Sequence, residues 1–194
     1  MNLIVISAAY EKPIHLRGLI DSFILQTDPR WLFHCIHDGQ ASEEMRSIIS
    51  LYDDERIDFI ETKQRTGLWG HLNRRWALEQ LISNSEDYVL ITNDDNYYVP
   101  RFVEFFLEQC DLDVGIVYCD IVHSYLNYDI MKSEVKASYI DSGAFIVRLD
   151  VAKKVGFLHV HEQADGRYAE RCAAECIQQE LKIVYIQKPL FIHN

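Results

Sequence analysis

Along the first 120 residues, short apolar runs alternate with stretches whose apolar positions recur at helical spacing. Residues 3–7, 31–37, 57–61, 88–92 and 115–119 form the runs, which predict strands, most of them covered on both faces. Between them, Pro13 stands where a first helical residue belongs, ahead of Ile14, Leu16, Leu19, Ile20, Phe23 and Ile24. Residues 68–83 carry Leu72, Trp76, Leu78 and Leu81 at near-helical spacing, and Pro100 opens a further candidate helix over 101–109. After residue 120 the pattern changes. A polar, tyrosine-rich stretch over 123–139 reads as a long loop or a hairpin. A strand over 144–148, a helix over 166–180 and a strand over 182–186 follow.

Strand–helix–strand alternation implies an α/β fold with a mostly parallel sheet between two helical layers. Ligands of such sheets bind beyond the carboxyl ends of the strands. Three segments stand there: Ala8-Ala9-Tyr10-Glu11, His37-Asp38-Gly39-Gln40 and Asn93-Asp94-Asp95-Asn96. All are small or polar, and their convergence says more than any one of them. No repeat, low-complexity run or Pro/Gly-rich linker divides the chain, so residues 1–194 read as one domain. Within it, 1–120 reads as a nucleotide-binding half and 121–194 as an acceptor-facing half.

Composition narrows the partners. With 30 acidic residues against 19 basic ones the net charge is −11, which argues against a nucleic-acid footprint. An anionic ligand would be held locally, by a cation or a few placed donors. The five cysteines are odd in number and lack zinc-site spacing; Cys172 and Cys176, four apart, read as core packing. This usage fits a reducing, cytoplasmic compartment. No stretch approaches the roughly 20 apolar residues of a membrane span, and the apolar opening residues read as the first strand. Homo-oligomerisation is left open.

Asp94 and Asp95 carry the main chemical signal. They follow a buried strand and diverge, so that one carboxylate can meet a ribose hydroxyl while the other meets a hard cation such as Mg²⁺ or Mn²⁺. An ordinary Asp turn or helix cap is the competing reading. Asp141-Ser142-Gly143, leading into a strand, reads as either an acceptor-side segment or a plain turn. His15, His34, His71, His123, His159 and His161 show no metal-ligand spacing and read as surface or acceptor-loop residues. Phosphate loops of the Gly-x-x-x-x-Gly-Lys type, Gly-x-Gly-x-x-Gly and Gly-x-Ser-x-Gly are all absent.

In order and spacing these segments resemble the family-two glycosyltransferases, which have the GT-A fold. The opening Val5-Ile6-Ser7-Ala8-Ala9-Tyr10 is similar to that family's first strand and Thr-Tyr-Asn turn. Ser22 to Thr27 is similar to the end of its first helix, and His37-Asp38-Gly39-Gln40 to its Asp-Asp-Gly-Ser turn. Residues 92–100 resemble its Asp-x-Asp region in the form seen in spore-coat enzymes. His37, Gln40 and Ala8-Ala9-Tyr10-Glu11 depart from the usual residues, which leaves the nucleobase open.

The resemblance implies transfer of a sugar from a UDP-, GDP- or dTDP-sugar to the hydroxyl of a saccharide or other acceptor. It implies that Ala9 and Tyr10 border the nucleobase and that Asp38 accepts a hydrogen bond from it. Arg65 and Gly67 lie near base and phosphates, Asp94 faces the ribose, and Asp95 with His193 holds Mn²⁺ or Mg²⁺. Asp165 would be the general base of an inverting displacement. Plainer readings stand beside these: Tyr10 as a packed aromatic, Arg65 as a solvated charge, Asp165 as a helix N-cap, with Glu162 as the rival base. Two other functions stay open. A nucleotidyltransferase would need a glycine-rich loop after the first strand, which residues 8–12 lack. A nucleotide-sugar binder without turnover of its own is the other.

Overall fold

The computed structural model describes residues 1–194. Its first four strands are β1 (Leu3–Ala9), β2 (Trp31–His37), β3 (Ile57–Glu61) and β4 (Tyr88–Asn93). They stand in the order β3-β2-β1-β4, all parallel. Every residue of β1 is buried, as a strand covered on both faces requires. The connecting helices are α1 (Pro13–Ile24), α2 (Glu43–Ile49) and α3 (His71–Gln80). Pro13 does open α1. The periodicity did not show α2, which begins at Ser42, whose hydroxyl accepts from the Met45 N–H. Right-handed crossovers carry α1 and α2 over one face and α3 over the other.

The remainder comprises β5 (Tyr97–Tyr98), α4 (Phe102–Leu107), β6 (Val114–His123), β7 (Asp129–Met131), β8 (Phe145–Arg148), α5 (Leu149–Val155), α6 (Ala164–Gln178) and β9 (Lys182–His193). The sheet continues from β4 through β8, β6, β9 and β5, with β7 paired to β6. Here the expectation of a mostly parallel sheet needs correction. β8 runs antiparallel to both β4 and β6, β7 to β6, and β5 to β9, while β6 and β9 are parallel. The cause lies in the connections. From β6 the chain reaches β8 through the β7 hairpin and loops rather than a crossover helix, and such a return reverses strand direction. The 123–139 stretch therefore contains the hairpin that was one of its two readings.

β9 is longer than its apolar run. It passes Pro189 and continues to His193, with register shifts against β6 around Asp120 that absorb the missing proline N–H. α3, α5 and α6 pack in sequence, and α1 packs on α2. One apolar core extends from Leu3 to Phe191.

Tyr98 ties the two parts of the sheet together. Its buried ring lies 4.5 Å from Phe102, 5.1 Å from Phe23 and 5.5 Å from Phe191 by centroids. Its hydroxyl donates to Thr92 Oγ1 at 2.7 Å, and Asn96 Nδ2 donates to the same oxygen at 3.0 Å. Thr92 thus holds the far side of the turn that carries Asp94 and Asp95. Tyr98→Phe should cost about 1–2 kcal/mol, the usual loss for a buried hydroxyl bond. Urea unfolding followed by circular dichroism measures it, and an unchanged midpoint would count against this tie.

Candidate active site

Beyond the carboxyl ends of β1, β2 and β4 lies a cavity of about 600 Å³. It sits where strand order reverses about β1, the crevice expected of an open α/β sheet. Ala9, Tyr10, Asp38, Arg65, Gly67, Asp94, Asp95 and His193 all line it. Asp141, Ser142, Gly143 and Asp165 do not. Lys12, Trp69, Arg74 and Asn93 also line it, and the sequence reading gave them no role.

Asp38, the first residue past β2, is almost fully buried. Its Oδ1 accepts from the Thr66 N–H (2.8 Å), the Thr66 hydroxyl (2.8 Å) and Asn73 Nδ2 (3.1 Å), and its Oδ2 from the Gly67 N–H (2.8 Å). Burial pushes this carboxyl up, but the bonds from Thr66, Gly67 and Asn73 outweigh it and hold it below the ordinary value. Asp38 thereby fixes the loop before α3, and one lone-pair direction on Oδ2 is left for a ligand. The same loop sets the Arg65 guanidinium 3.8 Å above the half-exposed ring of Tyr10.

At the end of β4, Asp94 is buried and accepts from the Tyr10 N–H at 3.0 Å. Burial raises its carboxyl above the ordinary value; the Tyr10 N–H opposes this and neighbouring Asp95 adds to it. Asp95 is more open and pairs through Oδ2 with Lys12 Nζ at 2.7 Å. Arg74 is buried, donating to Asn93 Oδ1 and, at 2.9 Å, to His71 Nδ1. Burial and the Arg74 charge hold His71 down to about 4, so it is a neutral acceptor here. His71 is buried, as is His123, which corrects their reading as surface or acceptor-loop residues. A signal for Arg74 existed in its place one turn into α3, the helix that starts above the crevice.

β9 delivers His193 to the opposite wall. Its ring lies 5.3 Å from His123 and 5.6 Å from Tyr125, and Nδ1 is 3.7 Å from Asp141 Oδ2. Asp141 accepts from the Gly143 N–H at 2.7 Å, capping a short 3-10 turn over Ser142–Ala144. Burial, and then Asp165 nearby, push the Asp141 carboxyl up. Ser142 and Gly143 are fully interior: a Cβ on Gly143 would come within 3.0 Å of Tyr98, Asn96 and Phe191 side chains. That close approach is to the protein's own interior. Asp165 lies in the first turn of α6, whose N-cap is Gln163, so the N-cap reading of Asp165 does not hold. Its Oδ1 is buried with no hydrogen-bond partner, a costly state that a ligand hydroxyl would relieve.

No three His, Cys, Asp or Glu side chains stand together as a metal site. Asp95 and His193 offer one oxygen and one nitrogen, and the buried Nδ1 of His193 lacks a hydrogen bond. That donor set fits a divalent cation whose shell is completed by a ligand's own oxygens, as a diphosphate supplies them.

The fold of this sheet and crevice recurs among solved structures. No family model and no curated protein sequence matches the chain. Among solved structures it is similar to TarS 1–349 of S. aureus, with TM-score 0.79 and 14% identity over 100% of this chain. The same protein in complex with UDP-GlcNAc gives 0.78 at 12% identity. The mannosyltransferase PcManGT of Pyrobaculum calidifontis, in complex with GDP-Man and Mn²⁺, gives 0.71 at 15% identity over 99% of this chain. The chain spans 60% of TarS 1–349 and 56% of PcManGT.

Asp38→Asn places an NH₂ against a backbone N–H in either orientation of the amide, so we expect a loss of about 2 kcal/mol at pH 7. Because the Asp38 pKa is depressed in the folded state, its contribution is present above the ordinary carboxylate value and lost as pH falls through the folded one. The gap between wild type and variant should therefore close in acid, as denaturant titrations at pH 7 and below pH about 4 would read. A gap independent of pH would refute this role.

Proposed function

We propose that the chain is a glycosyltransferase of the GT-A, three-layer α/β/α type, moving a sugar from a nucleoside-diphosphate donor to an acceptor hydroxyl with inversion and with Mn²⁺ or Mg²⁺. The observation that carries this is the Asp94–Asp95 pair at the end of β4, in a crevice that also presents the Tyr10–Arg65 pair and the Lys12 and Arg74 cations. The likeness to TarS with UDP-GlcNAc and to PcManGT with GDP-Man and Mn²⁺ supports the same reading. Residues 92–100 support the family-two assignment. Five unpaired cysteines favour a cytoplasmic setting. No helix of the structure is long and apolar enough to cross a membrane.

The nucleobase packs on the Tyr10 ring at the Asp38–Arg65 end, and Asp94 accepts from a ribose hydroxyl. Lys12, paired to Asp95, is placed to meet the diphosphate, and Asp95 with His193 would hold the cation. When bound, that cation neutralises charge on the departing diphosphate. Asp165 takes the proton of the acceptor hydroxyl as its oxygen attacks the anomeric carbon. The bond to the diphosphate breaks on the opposite face, so configuration inverts. Asp141, buried beside Asp165 with a raised pKa, retains its proton more readily and so limits repulsion between the two carboxyls.

Transfer and donor hydrolysis should be measured on a panel of UDP-, GDP- and dTDP-sugars with and without Mn²⁺. Turnover should require the cation. Asp165→Asn should lower kcat by about 10²–10⁴-fold, while nucleoside-diphosphate affinity stays near wild type. Asp95→Ala should abolish the response to metal and reduce kcat/KM by about 100-fold. Undiminished turnover in both variants would sink the mechanism.

A further inference from the structure

Four consecutive residues between β3 and α3 have positive φ: Gly67 (+67°), Leu68 (+52°), Trp69 (+52°) and Gly70 (+73°). Two of them are bulky side chains in a conformation that L residues avoid. The turn is held from both ends. Asp38 takes the Thr66 and Gly67 N–H groups, and Gly70 lies so close to β1 that a Cβ there would stand 2.5 Å from that of Ala8. Between these anchors Trp69 lines the cavity while 67% exposed. Core packing does not account for it, since most of the ring meets no protein atom. A strained backbone that presents an exposed indole to a cavity is a feature of a binding surface.

Its place along the crevice narrows the ligand. The Tyr10 ring, already stacked with Arg65, serves the end near Asp38. Trp69 instead faces the ring of His71 at 6.0 Å, and His71 is bonded to Arg74. The indole therefore stands beside the His71–Arg74 pair, and His71 in turn lies within the field of Asp165. The ligand portion expected there is a pyranose, whose C–H face is apolar and whose hydroxyls lie at its edge. An indole face suits that C–H face, and Asn194, which lines the same cavity, offers a polar partner for the rim.

We propose that Trp69 is the platform for a pyranose ring, that of the donor or of a saccharide acceptor; this rests on the crevice being a nucleotide-sugar site. The test uses the full chain with Trp69→Ala, Trp69→Gly and Trp69→Phe. Trp69→Gly also removes the left-handed strain, so loss of binding without loss of thermal stability separates ligand contact from folding. Titration calorimetry with Mn²⁺ compares the nucleoside diphosphate with its sugar conjugate. Affinity for the diphosphate alone should stay within about twofold in every variant. If the ring stacks the donor sugar, Trp69→Ala and Trp69→Gly weaken nucleotide-sugar binding about tenfold, with Trp69→Phe near wild type. If it stacks the acceptor, donor binding holds and acceptor KM rises about tenfold. Trp31 is buried and Trp76, though exposed, does not line the cavity, so an emission shift produced by the sugar-bearing ligand but not by the diphosphate, and absent in Trp69→Phe, reports on this residue. Wild type that turns over donor, with variants matching it in donor affinity and acceptor KM, overturns the platform alone. Wild type that binds neither nucleotide overturns both the platform and the reading of the crevice.

Discussion

The crevice depends on β1 having a parallel neighbour on each side. Because β2 and β4 flank it, the chain leaves the sheet toward one face after β1 and β2 and returns to β4 over the other. The loops diverge at that point and leave space that no side chain fills. The residues ending β1 are Ser7, Ala8 and Ala9, and their small size matters. The Gly70 backbone rests on Ala8, and the cavity floor lies beside it. A larger residue at position 8 would displace the left-handed turn and close the space together.

Around this opening, buried polar groups act as braces. Asp38 gathers four donors on one side, and Thr92 receives Tyr98 and Asn96 on the other. The Asp38 brace joins segments distant in sequence, whereas the Thr92 brace is local and closes the turn after β4; in both, a shift of the wall would expose an unpaired buried group. Electrostatics follow the same local logic. A chain of net charge −11 gives no general attraction for an anion. The crevice offsets this with cations whose contacts leave their charge available. Arg65 lies on an aromatic face, and Arg74 donates to neutral Asn93 and neutral His71. Lys12 is paired to Asp95 but stays half-exposed.

Much of this was legible in the sequence because strands and their following residues are local signals. The first four strands, the start of α1 and the placing of Asp38, Asp94 and Asp95 beyond strand ends needed only apolar runs and proline. What escaped was long-range. The direction of β8 depends on its connection, and the extension of β9 to His193 depends on pairing with β6 across a bulge. Buried His71 looked like a surface residue because nothing local reveals that Arg74 and the Phe157 ring pack against it. The left-handed turn at Trp69 was hidden too, since Leu68 and Trp69 suit the helix that actually begins at His71. Only the flanking Gly67 and Gly70 pointed to a turn.

The three aspartates at the strand ends divide the work by burial and by what already bonds them. Asp38 is saturated save for one lone-pair direction, so its role in the fold is to build the wall that carries Arg65, Gly67 and Trp69. Asp94 is buried with a raised pKa and accepts a single backbone N–H, so it gains most from a hydroxyl donor that stabilises its charge. Asp95 is more open and holds an exchangeable ammonium, which suits a group that must trade partners when ligand arrives. Identical side chains at equivalent places in the sheet thus differ in what they can do, and the difference comes from the donors that each loop brings to them.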